Sequence, residues 1–324
     1  MLLDPNFEWG PAGSSTRFTG VPDGCDALLI AALLEHASAP LLHVSSDDLG
    51  MNRLAEAVAF FSPTTRLLKF PAWDCLPYDR VPPRAELVAE RMATLGALGQ
   101  TERQATEPVT LVLTTVAAIL QRVPPRARVE DASIELAPGR TVDFASVMAF
   151  LAANGFHRTE TVREPGEFAS RGDIIDIFPP GYAEPVRIDL FGDEIEGLRR
   201  FDPLSQLTTE SISSLMLLPA SEILLDDDTI ARFRSGYRAR FGAVRGDDPL
   251  YEAVSEGVRH AGMDHWLPLF YDVPETLFDY CDGPVILGAQ TADAVRERFD
   301  QIADHFTARA NAPDRAEGEA PYNP

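Results

Sequence analysis

The stretch TRFTGVPDGCDALLIAALL (16–34) has the outline of a phosphate-binding loop. An apolar entry leads to Gly20, then a Gly/Pro/Asp turn, then a helical apolar run. In a working loop of the form G-x-x-x-x-G-K-[ST], backbone N–H groups and a helix N-terminus cradle the phosphates, the lysine neutralises them and the hydroxyl holds magnesium. Counted from Gly20, Cys25 takes the place of the second glycine, Asp26 that of the lysine and Ala27 that of the hydroxyl. Asp26 would set a carboxylate where the β- and γ-phosphates need a cation. That charge reversal argues against nucleotide hydrolysis, and leaves either the remnant of a nucleotide site or an unrelated turn.

A second stretch, RIDLFGDEIEG (187–197), pairs apolar residues with Asp193 and Glu194, in the manner of a magnesium-holding acidic box. Gly192 breaks the strand just before these acids and EIEGLRRF resumes it just after, so the acids read as the solvated tip of a β-hairpin. The strand itself alternates. Val186, Ile188 and Leu190 share one face, the core face, and Arg187, Asp189 and Phe191 share the other. An aromatic beside an arginine on an outward face is either ordinary surface or the composition of a binding hot spot. Asp189 between them is placed to hold the guanidinium by a charge-assisted hydrogen bond. Arg171, in the turn GEFASRGD, reaches the same patch if the strands DIIDIFP and VRIDLF pair.

The elements that must position these residues follow from hydrophobic periodicity. Helices are expected at 27–36, 49–61 and 86–98, and strands at 40–46, 66–70 and 109–115. Apolar strands alternating with helices predict a parallel α/β sheet covered on both faces. Between the last two strands lies a proline-rich loop, FPAWDCLPYDRVPPRA. The pattern changes near residue 123. A helix at 141–155 is followed by short strands and turns from 158 to 220, including RTETVR, DIIDIFP, EPVRIDLFG, EIEGLRRFDP and SISSLMLLP. Helices return at 227–242 and 249–259, then strands TLFDYC (276–281) and PVILG (284–288), and a helix at 291–310. The expected domains are therefore 1–122, 123–220 and 221–310, with 311–324 as a disordered linker at a domain border.

Composition narrows the function. The 324 residues carry 50 acids against 28 bases, a net charge of -22, which repels phosphate backbones at long range and argues against strong direct DNA binding. Hydrophobic residues make up 45%, enough for real cores. Cys25, Cys75 and Cys281 share no metal-ligand spacing, and His260 and His265 fall on different helix faces, so no metal site is expected and a reduced cytoplasmic protein fits. The start MLLDPNFEWG lacks the basic and apolar regions of a signal peptide, and no apolar run has membrane-spanning length.

GEFASRGDIIDIFPPGYAEPVRIDLFGDEIEGLRRFD (166–202) resembles the small inserted domain shared by the UvrB repair protein and the transcription-repair coupling factors (Mfd). WDCLPYDRVPP with ERMATLGAL, the lost lysine, DPLSQLTTESISSLMLLPASEI and WLPLFYD with LFDY are similar to the coupling-factor version, so the resemblance covers roughly 16–308. It implies a helicase-like parallel α/β domain with a degenerate P-loop (Gly20, Cys25, Asp26, Ala27), interrupted by a small β-rich (α+β) inserted domain and followed by a second α/β-type segment. It also implies a non-catalytic N-terminal UvrB-homology module that recruits UvrA to stalled RNA polymerase in nucleotide excision repair. By position, the family's UvrA contacts fall on Arg171, Arg187 and Phe191. The ATP- and magnesium-dependent motor and the RNA-polymerase-binding module would lie beyond residue 324, so no cofactor is expected here. The alternative is a fragment of an ATP-dependent DNA helicase or UvrB-type excinuclease subunit. The missing lysine and the absence of a long aromatic hairpin in 222–310 argue against it.

Overall fold

The computed structural model describes residues 4, 7–22, 24–78, 81–101, 109–244 and 248–310. In chain order the first elements are α1 (Asp26–Leu34), β1 (Leu41–Ser45), α2 (Asp48–Phe61), β2 (Arg66–Phe70), α3 (Ala85–Thr101) and β3 (Thr110–Thr115). Then come α4 (Val116–Ile119), α5 (Arg126–Asp131), β4 (Ile134–Leu136), α6 (Phe144–Ala153), β5 (His157–Arg158), β6 (Glu167–Arg171) and β7 (Ile174–Ile177). The rest are β8 (Val186–Phe191), β9 (Glu194–Phe201), β10 (Thr208–Ser211), β11 (Leu215–Leu217), α7 (Asp227–Phe241), α8 (Pro249–Ser255), β12 (Val285–Leu287) and α9 (Thr291–Ala310). The expected linker 311–324 lies outside the described residues.

The chain divides into two compact units. The first gathers Met1–Ala72, Gln100–Gln121 and Thr276–Phe299. Its sheet has the order β12-β1-β3-β2 and every pairing is parallel. Central strands LLHVS and TLVLTT are buried along their whole length, as strands covered on both faces must be. Asp47 starts α2 by accepting the Gly50 N–H at 2.7 Å. The strand expected at 284–288 forms and completes this sheet beside β1, so the chain returns to its first sheet after a long excursion. The strand expected at 276–281 is instead a short 3-10 helix, Leu277–Tyr280, whose Thr276 and Asp279 cap one another. That reciprocal capping outweighs the strand preference of Phe and Tyr.

The second unit comprises Trp73–Gly99, Arg122–Glu275 and Asp300–Pro324. Within it lies a mainly antiparallel sheet of order β10-β9-β8-β7-β6-β5, and β4 pairs with β11. Val147 and Leu151 of α6 pack with Phe168, Ile175, Ile177, Val186, Ile188 and Leu198 of the sheet in one core. The expected strand 158–163 shrinks to His157–Arg158, and the segment GEFASR, read from sequence as a turn, is strand β6. The turn proper is Gly172–Asp173, where Gly172 takes φ +59°. The helix expected at 249–259 ends at Ser255. Residues 221–275 build a separate aromatic core in which the rings of Phe233 and Phe270 stack at 4.8 Å and Tyr237 donates to Asp248 at 2.6 Å.

A buried ion pair ties the inserted sheet's exit to α3. The Arg91 guanidinium donates to both oxygens of Glu222, at 2.6 and 3.1 Å, and both side chains are sealed from water, at 0% and 1% exposure. Trp73 Nε1 donates to the same carboxylate at 3.1 Å, and its ring lies 5.6 Å from the guanidinium. Tyr271 donates its hydroxyl to the Glu222 carbonyl at 2.8 Å and accepts the Leu224 N–H, and burial pushes its phenol pKa up. Removing one partner leaves a buried charge uncompensated. Arg91→Met should therefore cost about 3–5 kcal/mol in denaturant unfolding, and Arg91→Met with Glu222→Gln markedly less. A single-variant cost under about 1 kcal/mol would show that this pair does not hold the unit.

Candidate protein-docking face and the loop at Gly20

In β8 the alternation expected from sequence is realised. Val186, Ile188 and Leu190 are buried, Arg187 and Asp189 are half-buried, and Phe191 is 79% exposed. Pairing carries this face across the sheet. Asp176 on β7 and Arg199 on β9 stand directly opposite Arg187, while Ile174 and Gly197 stand opposite Asp189. Arg171, the last residue of β6, pairs with Ile174 and so joins the row of Asp189.

The charge pairing differs from the sequence reading. Asp189 does not hold Arg187; it accepts from Arg199, at 2.7 Å from Nη2 and 3.0 Å from Nε. Arg187 is held by Asp176, in a two-pronged contact at 2.7 and 2.9 Å. Hydrogen bonding to the Asp176 carboxylate raises the Arg187 pKa above its ordinary value, against the opposing effect of burial. The guanidinium also lies 5.0 Å from the centroid of the buried Phe201 ring, so it is fixed from two directions. Arg171 is exposed and donates to the Glu160 carbonyl. Arg199, and Asp176 in the role of partner to Arg187, are what sequence alone did not assign to the patch. Their signal is the cross-strand register of β7 and β9 with β8.

Phe191 sits at the tip of a tight hairpin. Gly192 at φ +62° and Asp193 turn the chain, and Glu194 pairs back with Phe191. A bulge shifts the register after Asp189, which lets both Ile195 and Leu198, three residues apart, point into the core. The tip is clasped from two sides. Val142 N–H donates to the Asp193 carbonyl at 2.7 Å, Ile195 N–H to Arg140 at 2.9 Å, and Leu190 N–H to Asp173 at 2.9 Å. The aromatic is thus presented on rigid backbone, the arrangement that costs least ordering entropy on docking.

The loop at Gly20 lies in the first unit. Gly20 and Gly24 take φ +74° and +82°, and α1 begins at Asp26 with Cys25 before it. No strand precedes the turn within residues 7–22. Asp26 Oδ1 accepts the Ala27 N–H at 3.0 Å, so the helix N-terminus is already answered by a carboxylate, and Ala27 is fully buried. His43, near Asp26, has its pKa lowered by burial to about 4 and is neutral at physiological pH. No helix among the described residues is long and apolar enough to cross a membrane.

The small sheet domain thus carries one ionised, aromatic-tipped face. Residues 134–223 match the family model of the UvrB interaction domain. Over most of its length the chain is similar to transcription-repair-coupling factors: 31% identical over 87% of the chain to that of Rickettsia bellii, 33% over 86% to that of Haemophilus influenzae, and 31% over 86% to that of Escherichia coli. These alignments cover 25%, 24% and 24% of the relatives, so the chain spans about a quarter of the length of the curated relatives it matches. Together the matches place the chain with the transcription-repair-coupling factors, as their UvrB-like portion.

The two faces of β8 predict opposite responses. Phe191→Ala removes a side chain that touches mainly water and should leave the melting temperature within about a degree, because surface changes fall near ±0.5 kcal/mol. Val186→Asp buries an unpaired charge and should unfold the sheet domain. Equal melting losses for the two variants would invert the face assignment.

Proposed function

We propose that this chain is a non-catalytic docking module that recruits UvrA through the outer face of its six-stranded sheet, and so couples transcription to nucleotide excision repair. The observation that carries the reading is Phe191, 79% exposed on a clasped hairpin, on the same strand face as an Arg187 already oriented by Asp176. Aromatic and arginine side chains on a rigid surface are the residues that dominate binding energy at protein interfaces. Arg171 extends the face toward β6 and is free of any acidic partner among the described residues.

The loop at Gly20 supports a module without its own nucleotide chemistry. A phosphate arriving at α1 would meet the Asp26 carboxylate in place of a lysine, with no hydroxyl at Ala27 to hold magnesium. In this reading ATP, magnesium, DNA translocation and RNA-polymerase binding belong to parts of the whole protein outside this chain. The module itself acts in the bacterial cytoplasm, where a repair complex assembles on DNA.

Truncating a central anchor costs about 2 kcal/mol or more, roughly thirty-fold in affinity. Arg187→Ala and Phe191→Ala should each weaken UvrA binding to the purified chain by about that factor in calorimetric titration. Unchanged affinity in both variants would remove this face from the account.

A further inference from the structure

The docking face described above is too small by itself. A stable interface covers about 800 Å² on each partner and is centred on buried apolar anchors. Phe191 supplies one apolar anchor, and Arg187, oriented by Phe201 and Asp176, adds a charged contact but no apolar one. Among the described residues of 134–223, the other exposed large apolar side chains are Ile174 at 38%, Leu204 at 83% and Leu207 at 70%. Ile174 sits in the row of Arg171 and Asp189 and enlarges the Phe191 end. The two leucines stand at the other end of β8. They lie on the turn that leaves Phe201, whose ring carries the Arg187 guanidinium.

This turn is built to hold its leucines in water. Asp202 accepts the Ser205 N–H at 2.6 Å through Oδ1, its carbonyl accepts the Gln206 N–H at 2.8 Å, and its own N–H donates to Leu207 at 2.9 Å. Gln206 takes φ +62°, a strained backbone for a residue with a side chain. Its Nε2 donates to the Pro203 carbonyl at 2.8 Å and to the Val162 carbonyl at 3.0 Å. Val162 packs with Ala169, Phe178 and Phe201 in a small core. Ala169 stands opposite Asp176 and so shares the outer face with Arg187, and the turn is anchored to that side of the sheet. Gln206 thus ties the turn to the sheet, while Leu204 and Leu207 are left in solvent.

We propose that Leu204 and Leu207 form a second apolar anchor of the docking surface, received by an apolar patch on the same partner that takes Phe191. The inference rests on the UvrA reading given above. At about 3.3 Å per residue, β8 sets the two anchors roughly 20 Å apart, within the width of a standard interface, with the Arg187–Asp176 pair between them.

The test compares UvrA binding, by biolayer interferometry, of the whole chain and of its Leu204→Ser/Leu207→Ser and Phe191→Ala variants, each with its melting temperature. The double serine variant should lose affinity tenfold or more while melting like the parent. If it binds UvrA like the parent while Phe191→Ala binds weakly, the second anchor is wrong and the docking reading stands. If it melts several degrees lower, the leucines are packing residues and the proposal falls. If neither variant weakens binding, both the anchor and the docking reading fail.

Discussion

Two arginines face each other across the middle of the inserted sheet. Arg187 on β8 and Arg199 on β9 are direct cross-strand neighbours, a placement that repels. Each is neutralised by an acid: Asp176 takes Arg187 from the β7 side, and Asp189 takes Arg199 from the next row. This interlaced set of ion pairs allows a strand buried on one face to carry charge on the other. It also fixes Arg187 before any partner arrives. A pair on a lone surface helix would contribute little. Here Arg187 is also half-buried over Phe201 and anchored to the central strand, so its geometry is set by the sheet. The exposed Phe191, the row of Arg171 and Ile174 and the rigid turn after Phe201 are all arranged around that strand.

The rest of the second unit supplies a base for the inserted sheet. In the first unit the sheet is interrupted after β3 and completed by β12. Within the second unit, the sealed Arg91–Glu222 pair joins α3 to the residue just after the sheet domain, and Trp73 and Tyr271 satisfy the remaining groups of Glu222. Gly96 on α3 allows the close approach, since a methyl group there would meet Leu218 at 2.6 Å. A sheet mounted this way gives the partner a surface with little conformational entropy left to lose.

Much of this was legible in the sequence because it rests on local periodicity. The helix at 291–310 and the two faces of VRIDLF need only a period of 3.6 or two. What was not legible depends on register between strands. Read as a turn, GEFASR hid β6. Without the β7–β8 register, Asp189 looked like the natural partner of Arg187 although Asp176 holds it. The residues TLFDYC have strand-forming side chains, and only the mutual capping of Thr276 and Asp279 turns them into a 3-10 helix. The Arg91–Glu222 pair joins residues 131 apart, beyond any local pattern.

The central claim is that UvrA sits on the outer face of β8. Its most direct test is a photo-crosslinking benzophenone placed at Phe191 and, separately, at Phe60, which is equally exposed at 80% but lies on α2 in the other unit. The account predicts an ultraviolet-dependent adduct with UvrA from position 191 and none from position 60. Equal adducts from both positions, or an adduct from position 60 alone, would contradict it.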